Sequence, residues 1–363
     1  MTYSSDDRRQ FWLESRIGLV KSVVKDFTAR QIRHHLAYPE TQFLGRVLLS
    51  FVGEGKGLRS VFAQLGWLCG EEDSAASIQA CASLELLHAF ALIQDDVMDG
   101  SIIRRGMPSI HVQLERWHHA SESPDDSRMF GNSAAILLSD ICIVWADQML
   151  REARLPYESI VRAWPSYDLM RTEMAVGQFR DLLHTLSAAP DLVAVTEVAR
   201  QKSGNYTVRR PLEFGAALSG CGADVLEVLG VYGSLVGEAF QYRDDFLGVF
   251  GSSQLTGKPV GDDLRLGKAT ALTVLAQEMA TPAQQSRMTA LMAALSGDFD
   301  DVHLSSIRSL QELLVEIGAR DAVERLIDAR VREAETAVKC ADLPTLPSDV
   351  LVLLAKRCAV RSS

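Results

Sequence analysis

The chain has 363 residues, with 37 Lys and Arg against 47 Asp and Glu, and therefore a formal net charge of −10. This balance argues against sequence-independent nucleic-acid binding, which needs clustered Lys and Arg against phosphates, so we expect no nucleic-acid partner. A phosphate ligand held through a divalent metal remains compatible, because the protein then supplies carboxylates. Apolar residues make up 47% and charged residues 23% of the chain, which is typical of a protein with a packed core.

The six cysteines are scattered and form no CxxC pair, so neither a disulfide framework nor a zinc ribbon is expected. Residues 1–16 are charged and lack the apolar stretch of a secretory signal. The most apolar stretches, 134–150 and 216–240, are interrupted by Asp and Glu, so we expect no transmembrane segment. Together these features predict a cytoplasmic protein.

Apolar residues recur at three- and four-residue spacing along most of the chain, which is the pattern of amphipathic helices. It predicts helices over residues 78–99, 134–150, 192–219, 225–248 and 307–339. Polar or proline-containing loops are expected at 120–129, 186–192, 251–267, 296–303 and 341–348. None of these loops has the composition of a flexible interdomain linker. We therefore predict an all-α fold and a single domain over residues 1–363.

The predicted helix 78–99 ends in an acidic cluster formed by Asp95, Asp96 and Asp99. Asp95 and Asp99 share a helix face, with Asp96 beside them. Three like charges at the end of an apolar helix repel one another, and a hard divalent cation removes that repulsion. Mg²⁺ binds one or two carboxylates and completes its octahedron with water and substrate phosphate oxygens. The alternative is a solvated acidic helix end, and this cluster by itself does not decide between the two.

A second acidic cluster, Asp244 and Asp245, ends another apolar helical stretch. Two such clusters on separate helices would clamp a diphosphate through several metal ions, which neutralise and orient it. Arg suits bidentate phosphate contact and Lys acts as a compact point charge, although a single one is more often a surface charge. The basic residues that accompany the clusters are Lys56, Arg59, Arg104, Arg105, Lys202, Lys258 and Lys268.

These motifs, in this order, resemble those of the polyprenyl synthetase (trans-isoprenyl diphosphate synthase) family over about residues 53–268. The first acidic cluster matches the family's DDxxD motif, and the RRG that follows it is Arg104-Arg105-Gly106. The remaining motifs are FQxxDDxxD at Phe240, Gln241, Asp244 and Asp245, GQxxD at Gly177, Gln178 and Asp181, and KTxxY at Lys202, Ser203 and Tyr206.

Four positions depart from the family pattern. Ser203 stands where the KTxxY motif has Thr, which keeps the hydroxyl. Gly57 and Ser60 stand where the GGKRxRP-like motif, matched here by Lys56 and Arg59, usually has Arg and Pro. Gly248 replaces the final Asp of the second acidic motif. We expect weakened or rearranged metal coordination on that side rather than its loss, because the first two carboxylates remain.

The resemblance implies a large helical bundle of the isoprenoid synthase type, with a central cavity between two Asp-rich helices, and a homodimer. It implies up to three Mg²⁺ ions per active site, with Asp95, Asp96, Lys202 and Asp244 as catalytic residues. The implied metal ligands are Asp95, Asp96, Asp99, Asp244 and Asp245. The allylic diphosphate would be contacted by Arg104, Lys202 and Lys258, with Lys268 as a secondary contact. Isopentenyl diphosphate would be bound by Lys56, Arg59, His88 and Arg105. The reacting centre would be lined by Gln178, Gln241 and Ser203.

The implied reaction is head-to-tail condensation of isopentenyl diphosphate with dimethylallyl, geranyl or farnesyl diphosphate. Phe90 and Ala91 lie five and four residues before Asp95, about 6–7.5 Å deeper along the helix. In the family, a single aromatic at the deeper position goes with a C20 product, so geranylgeranyl diphosphate is expected and farnesyl diphosphate is the nearest alternative. The plainer interpretation is that Phe90 only packs in the core.

Two further functions remain open at this point. A class I terpene cyclase also uses DDxxD and Mg²⁺ on a helical fold, but it needs no isopentenyl site, so Lys56, Arg59 and Arg105 favour condensation. A non-catalytic subunit of a prenyl synthase is supported only by Gly248 and by the altered residues Gly57 and Ser60.

Overall fold

The structure is a computed structural model that describes residues 5–121, 126–184, 191–251, 261, 264, 269–295 and 301–360. Almost every regular element in these residues is a helix, which confirms the predicted all-α fold. A π-helical segment, Arg200–Arg209, joins two α-helices, and a short antiparallel ribbon pairs β1 (Ile103–Arg104) with β2 (Met107–Pro108). The α-helices are α1 (Ser5–His35), α2 (Gln42–Phe51), α3 (Leu58–Trp67), α4 (Ala75–Met98), α5 (Ile110–Ser121), α6 (Ser127–Arg151), α7 (Tyr157–His184), α8 (Leu192–Ala199), α9 (Arg210–Ser219), α10 (Ala223–Phe250), α11 (Ala271–Met279), α12 (Pro282–Ala293), α13 (Asp301–Ile317), α14 (Ala319–Lys339) and α15 (Thr345–Val360).

The chain groups into two compact units that alternate along the sequence. Unit 1 consists of Met1–Tyr167, Arg210–Leu229 and Leu343–Val350. Unit 2 consists of Asp168–Arg209, Gly230–Asp342 and Leu351–Ser363. Of the five boundaries between the units, three fall inside α7, α10 and α15, one lies where the π-helical segment meets α9, and one lies between α14 and α15. A single domain over the whole chain stays a prediction.

Unit 1 is organised around α4, which packs against α6, α3 and α1. A capping box starts this helix, because the Ser74 hydroxyl accepts from the Ser77 amide while the Ser77 hydroxyl accepts from the Ser74 amide. Leu84, Leu86 and Leu87 are fully buried. Each such leucine stabilises the fold by about 1.5–3 kcal/mol relative to an exposed one. A well-anchored helix therefore carries the first acidic cluster in its last turn.

Unit 2 contains the second acidic cluster, near the end of α10. Within this unit α11 packs against α14, α13 and α8, and α13 also packs against α12. The hydroxyl of the buried Tyr232 on α10 donates a 2.7 Å hydrogen bond to the carbonyl of Leu351 on α15. This bond joins α10 to the last helix of the chain.

The prediction of one helix over residues 307–339 is wrong in one respect, because the structure divides this stretch into α13 and α14 at Gly318. Gly318 has φ 84°, a left-handed conformation that ends a helix. The predicted helix 192–219 is continuous, but its central ten residues are π-helical rather than α-helical. The predicted loop at 341–348 is confirmed for residues 341–344 and wrong for residues 345–348, which form the first turn of α15. The predicted loop at 251–267 lies largely outside the described residues.

Two helices, α4 and α6, are long and apolar enough to cross a membrane by length and composition alone. Each helix has a most apolar window, of which 61% is buried inside the protein in α4 and 39% in α6. Core helices of water-soluble proteins pass the same test, so the indication is weak. The expectation of no transmembrane segment stays a prediction.

Candidate active site

The described site residues divide between the two units. Those in unit 1 are Lys56, Arg59, His88, Phe90, Ala91, Asp95, Asp96, Asp99, Arg104 and Arg105. Those in unit 2 are Gln178, Lys202, Ser203, Gln241, Asp244 and Asp245. Lys258 and Lys268 lie outside the described residues.

In unit 1 the end of α4 places two carboxylates against Arg104. The guanidinium donates to Oδ1 of Asp96 from Nε at 2.8 Å and from Nη2 at 2.5 Å, and Nη2 also donates to Oδ2 of Asp95 at 3.0 Å. Asp96 is only 1% exposed, and a buried carboxylate needs such a partner. Burial by itself lowers the pKa of Arg104, but the hydrogen bonds and charges of Asp96 and Asp95 raise it above its ordinary value.

The acidic cluster suits Mg²⁺ that arrives together with a phosphate ligand. Among the described residues, no group of three or more His, Cys, Asp or Glu side chains is arranged as a ready-made metal cage. Mg²⁺ does not need one, because one or two carboxylates suffice when substrate phosphates complete the octahedron. Asp95 and Asp96 already converge on one cationic group, the guanidinium of Arg104, and Asp99 caps the same helix. The donor set therefore fits the predicted metal.

The β1–β2 ribbon fixes the two arginines that follow the acidic cluster. Arg104 lies on β1, whereas Arg105 and Gly106 form the turn, both with positive φ (54° and 75°). Two-residue hairpin turns require this left-handed backbone. Arg105 donates to the carbonyl of Phe51 at 3.2 Å, and its guanidinium lies 5.3 Å from the centre of the Phe51 ring. The turn thus directs two consecutive arginines to different partners.

A second group of charges in unit 1 surrounds Glu85, which is 7% exposed on α4. The buried Ser60 hydroxyl donates to this carboxylate at 3.1 Å. Burial lowers the pKa of Arg105, an effect that the charge of Glu85 opposes and that Arg104 and Arg59 reinforce. Arg105 therefore interacts electrostatically with Arg104, with Arg59 and with the buried carboxylate of Glu85. This concentration of positive charge is suited to an additional anion.

His88 belongs to the same group. Burial lowers the pKa of its imidazole well below the ordinary value, and the charges of Arg59, Arg105 and Arg104 lower it further. The residue is consequently a neutral hydrogen-bonding group at neutral pH rather than a cation. A neutral histidine among arginines can orient a bound anion without adding to their mutual repulsion.

In unit 2 the KSxxY motif lies on the π-helical segment and meets the GQxxD motif of α7. The Lys202 ammonium forms a 2.6 Å ion pair with Oδ2 of Asp181. A Cβ on Gly177 would stand 2.5 Å from the amide nitrogen of Lys202, so only glycine allows the two backbones to approach this closely. The segment also bonds α7 through Asn205, whose Nδ2 donates to Glu173 at 3.2 Å. π-helical turns often mark functional sites.

The second acidic motif presents one exposed and one buried carboxylate on α10. Asp244 is exposed, while Asp245 is 8% exposed and accepts a 2.7 Å hydrogen bond from Nε2 of Gln241. The buried Glu238, two turns before Asp245 on the same helix, pairs with Arg200 at 2.6 Å and with Arg330 at 2.7 Å. Ion pairs therefore fix this part of α10 to the π-helical segment and to α14.

Sequence reasoning assigned no role to Ser60, Glu85, Glu238 or Asp181 in these contacts. A signal for Glu85 was present, since it interrupts an apolar run three residues before His88, on the same helix face. The structure also explains the departure at Gly57, whose φ of 63° is strained for any other residue type.

The sequence profile of the family described as polyprenyl synthetase matches residues 41–305. A geranylfarnesyl diphosphate synthase from Aeropyrum pernix is 30% identical over 296 residues, which cover 79% of this chain and 85% of that protein. A geranylgeranyl diphosphate synthase from Mycobacterium tuberculosis is 29% identical over 78% of this chain and 75% of its own length.

A solved structure agrees with the sequence matches. The geranylgeranyl pyrophosphate synthase of Corynebacterium glutamicum, in complex with isoprenyl diphosphate and magnesium, superimposes with a TM-score of 0.89 at 32% identity, over 96% of this chain and 99% of that one. The family profile spans well over half of the chain, and its match includes both acidic motifs. The chain therefore belongs to the polyprenyl synthetase family and is a trans-prenyltransferase.

Proposed function

We propose that this protein condenses isopentenyl diphosphate with dimethylallyl, geranyl and farnesyl diphosphate in a Mg²⁺-dependent reaction, and that its final product is geranylgeranyl diphosphate (C20). The observation that carries this proposal is the group of Arg59, Arg105, His88 and Glu85 in unit 1. It is a second anion site beside the acidic cluster. A cyclase, which acts on one diphosphate, has no use for it.

We assign the allylic diphosphate to the acidic motifs. Asp95, Asp96 and Asp99 are proposed Mg²⁺ ligands, with Asp244 and Asp245 as further ligands and Arg104, Lys202, Lys258 and Lys268 as diphosphate contacts. Bound Mg²⁺ would supply charge neutralisation for the departing diphosphate, which is largest in the transition state. Arg104 and Lys202 are each paired with an Asp carboxylate in the structure, so diphosphate binding would exchange that carboxylate partner for phosphate oxygens.

We assign isopentenyl diphosphate to Lys56, Arg59, His88 and Arg105. Their role is to hold the double bond of this substrate against the carbon atom from which diphosphate departs. Gln178, Gln241 and Ser203 are the proposed lining of the reacting centre. The double bond of isopentenyl diphosphate is itself the nucleophile, so no side-chain nucleophile is required. The cation formed when the new C–C bond closes would lose a proton to the released diphosphate and thereby become the new allylic product.

The first test is an assay of the purified protein with isopentenyl diphosphate and each allylic primer, with Mg²⁺ present or chelated. Products are dephosphorylated and identified by mass. Chain extension that requires Mg²⁺ supports the proposal, and the longest accumulated product gives the chain length. Cyclic hydrocarbon from an allylic diphosphate alone would instead identify a cyclase, and an inert, well-folded protein would point to a partner subunit.

The second test separates the two substrate sites. Because a charge-assisted hydrogen bond is worth about 1.5–3 kcal/mol, Arg105→Gln should raise KM for isopentenyl diphosphate about 10- to 100-fold. KM for the allylic primer should change little. Arg116→Gln, an exposed arginine on α5, is the matched control and should leave both constants unchanged. Equal effects of Arg105→Gln on both substrates would contradict the assignment.

The product length is proposed from Phe90 and Ala91 on α4. Both are half-buried, whereas Leu84, Leu86 and Leu87 on the same helix are fully buried, which supports a surface beside the growing chain rather than the core. We expect Ala91→Phe to shorten the main product to C15 and Phe90→Ala to lengthen it beyond C20, measured by product mass. Ile78→Ala, near the start of α4, controls for general loss of packing. If neither variant moves the distribution, the length determinant lies elsewhere, and C25 remains open because a C25 synthase is a relative.

We further propose a homodimeric, cytoplasmic enzyme with up to three Mg²⁺ ions per active site. The cytoplasmic assignment is supported by the six cysteines, all of which are free thiols in the structure. Four of the exposed residues on α6, namely Met129, Ile136, Leu137 and Val144, are apolar and offer a surface for a second copy. The number of metal ions would be measured by Mn²⁺ titration in the presence of inorganic diphosphate.

A further inference from the structure

Arg243 lies within the second acidic motif, immediately before Asp244, and none of the roles proposed above uses it. Its side chain is 11% exposed. Nη1 donates to Oε1 of Glu324 at 2.9 Å and Nη2 donates to Oε2 at 2.5 Å. This is the bidentate geometry that only arginine offers to a carboxylate, and it joins α10 to α14.

The third nitrogen of the same guanidinium reaches the last helix. Nε of Arg243 donates to the carbonyl of Ala359, in the final turn of α15. The last four carbonyls of a helix lack partners within the helix, and the helix dipole makes this end negative. Arg243 therefore acts as a cap for α15 supplied by another helix, and the ring of Phe246, 4.9 Å away, packs against its guanidinium.

These contacts place one cationic side chain at the meeting point of α10, α14 and the end of α15. One turn earlier on α10, the ion pair between Glu238 and Arg330 makes a second connection to α14. The ion pairs of Glu238 and Arg243, which lie before and after Gln241 in the sequence, thus hold the stretch of α10 that leads to Asp244 and Asp245. A change in the position of α15 would reach these two carboxylates through Arg243.

We propose that Arg243 is a positioning residue that latches the end of α15 to α10 and thereby sets the affinity of Asp244 and Asp245 for Mg²⁺-diphosphate. The role in metal binding rests on the proposed function, whereas the latch itself does not. The missing carboxylate at Gly248 makes such positioning more important, because fewer ligands on this helix share the task.

Hydrogen–deuterium exchange of the metal-free protein tests the latch. We expect amide exchange in residues 351–360 to accelerate about tenfold or more in Arg243→Gln, because charge-assisted bonds are lost. Arg243→Lys keeps the positive charge but loses the bidentate geometry of the guanidinium. In this variant and in Glu324→Gln, the exchange rate of residues 351–360 should lie between those of Arg243→Gln and the wild type. Arg320→Gln is the matched control. Arg320 is an exposed arginine of α14 whose guanidinium also lies over a ring of α10, that of Phe250 at 5.6 Å, and its loss should leave exchange in 351–360 unchanged.

Calorimetric titration with inorganic diphosphate at fixed Mg²⁺ tests the positioning role without relying on turnover. Arg243→Gln and Glu324→Gln should weaken binding about 3- to 30-fold, and in steady-state assays they should raise the half-saturating Mg²⁺ concentration more than they lower kcat. The double variant should be no worse than Arg243→Gln alone, since both residues act through one contact.

Unchanged exchange in both Arg243→Gln and Glu324→Gln would overturn the latch. Faster exchange with unchanged diphosphate affinity would overturn the positioning role and leave a purely structural anchor. If the wild-type protein extends no primer, the proposed function fails, but the exchange experiment still decides the latch. The two failures are therefore distinguishable.

Discussion

Gly57, at the start of α3, has a left-handed backbone, and a side chain there would meet only ordinary contacts, the nearest being Ile17 at 3.8 Å. Replacing Gly57 by another residue type therefore costs backbone strain alone. We expect Gly57→Ala to lower the free energy of unfolding by about 1–2 kcal/mol in urea titrations. Gly18→Ala, in open space within α1, should instead be neutral or stabilising by up to about 1 kcal/mol. The same sign for both substitutions would contradict this explanation.

His88 makes stability depend on pH in a defined direction. Because burial and three arginines lower its pKa in the folded protein, the unfolded chain binds a proton below about pH 6.5 that the folded protein does not. The free energy of unfolding should therefore fall with decreasing pH, by up to about 1.4 kcal/mol per pH unit from this residue. His88→Gln should remove that share of the slope between pH 6.5 and 5. Exposed His119 on α5 provides the control variant, and equal slopes for His88→Gln and wild type would refute the prediction.

At the scale of elements, the contact between α7 and the π-helical segment depends on Gly177. A methyl group there would overlap the backbone of Lys202, and such overpacking costs about 1–3 kcal/mol. We expect Gly177→Ala to lower stability by this amount and to reduce kcat, since the segment carries Lys202 and Ser203. Val176→Ala, an exposed neighbour on α7, should change stability by less than about 0.5 kcal/mol. Thermal unfolding and steady-state kinetics of the two variants are the measurements, and equal effects would argue against the close approach.

The elements differ in how far the sequence predicts them. Periodicity predicts α4, α6 and α10 well, because each has an apolar face that continues for six turns or more. It does not reveal the π-helical segment, since the spacing of apolar residues hardly changes over ten residues. Nor does it reveal the end of α13, because a single glycine such as Gly318 is tolerated within helices and its φ cannot be read from its identity.

The features of the candidate site also differ in how far the sequence predicts them. The motifs predict which residues carry charge, but not that Arg104 bridges Asp95 and Asp96 or that Lys202 pairs with Asp181. The pairing of Arg104 depends on the β1–β2 turn, and the pairing of Lys202 depends on the packing of the π-helical segment against α7. The ribbon has no Asn-Gly signal, because its turn is built from Arg105 and Gly106.

At the scale of the whole molecule, the exposed apolar residues of α6 predict self-association. Leu137 is 65% exposed, in the middle of this face. We expect the wild-type protein to sediment as a dimer, and Leu137→Glu to shift it toward monomer, because a charge would have to be buried at the interface. Val193→Glu, on the 77% exposed valine of α8, is the control and should leave the sedimentation coefficient unchanged. A wild-type monomer at micromolar concentration would refute the homodimer.

The alternation of the two units along the chain has a consequence for synthesis on the ribosome. Unit 1 begins with the first helices, but its last piece, Leu343–Val350, is made only after nearly all of unit 2. At 5–20 residues per second, translation from residue 167 to residue 343 takes on the order of 10–35 s. During that interval unit 1 lacks its segment Leu343–Val350, in which Asp349 pairs with Arg9 of α1. A nascent chain of this kind has a longer period of exposure to chaperones and to aggregation than one whose units follow each other in sequence, and a message truncated shortly before codon 343 would yield two incomplete units rather than one complete one.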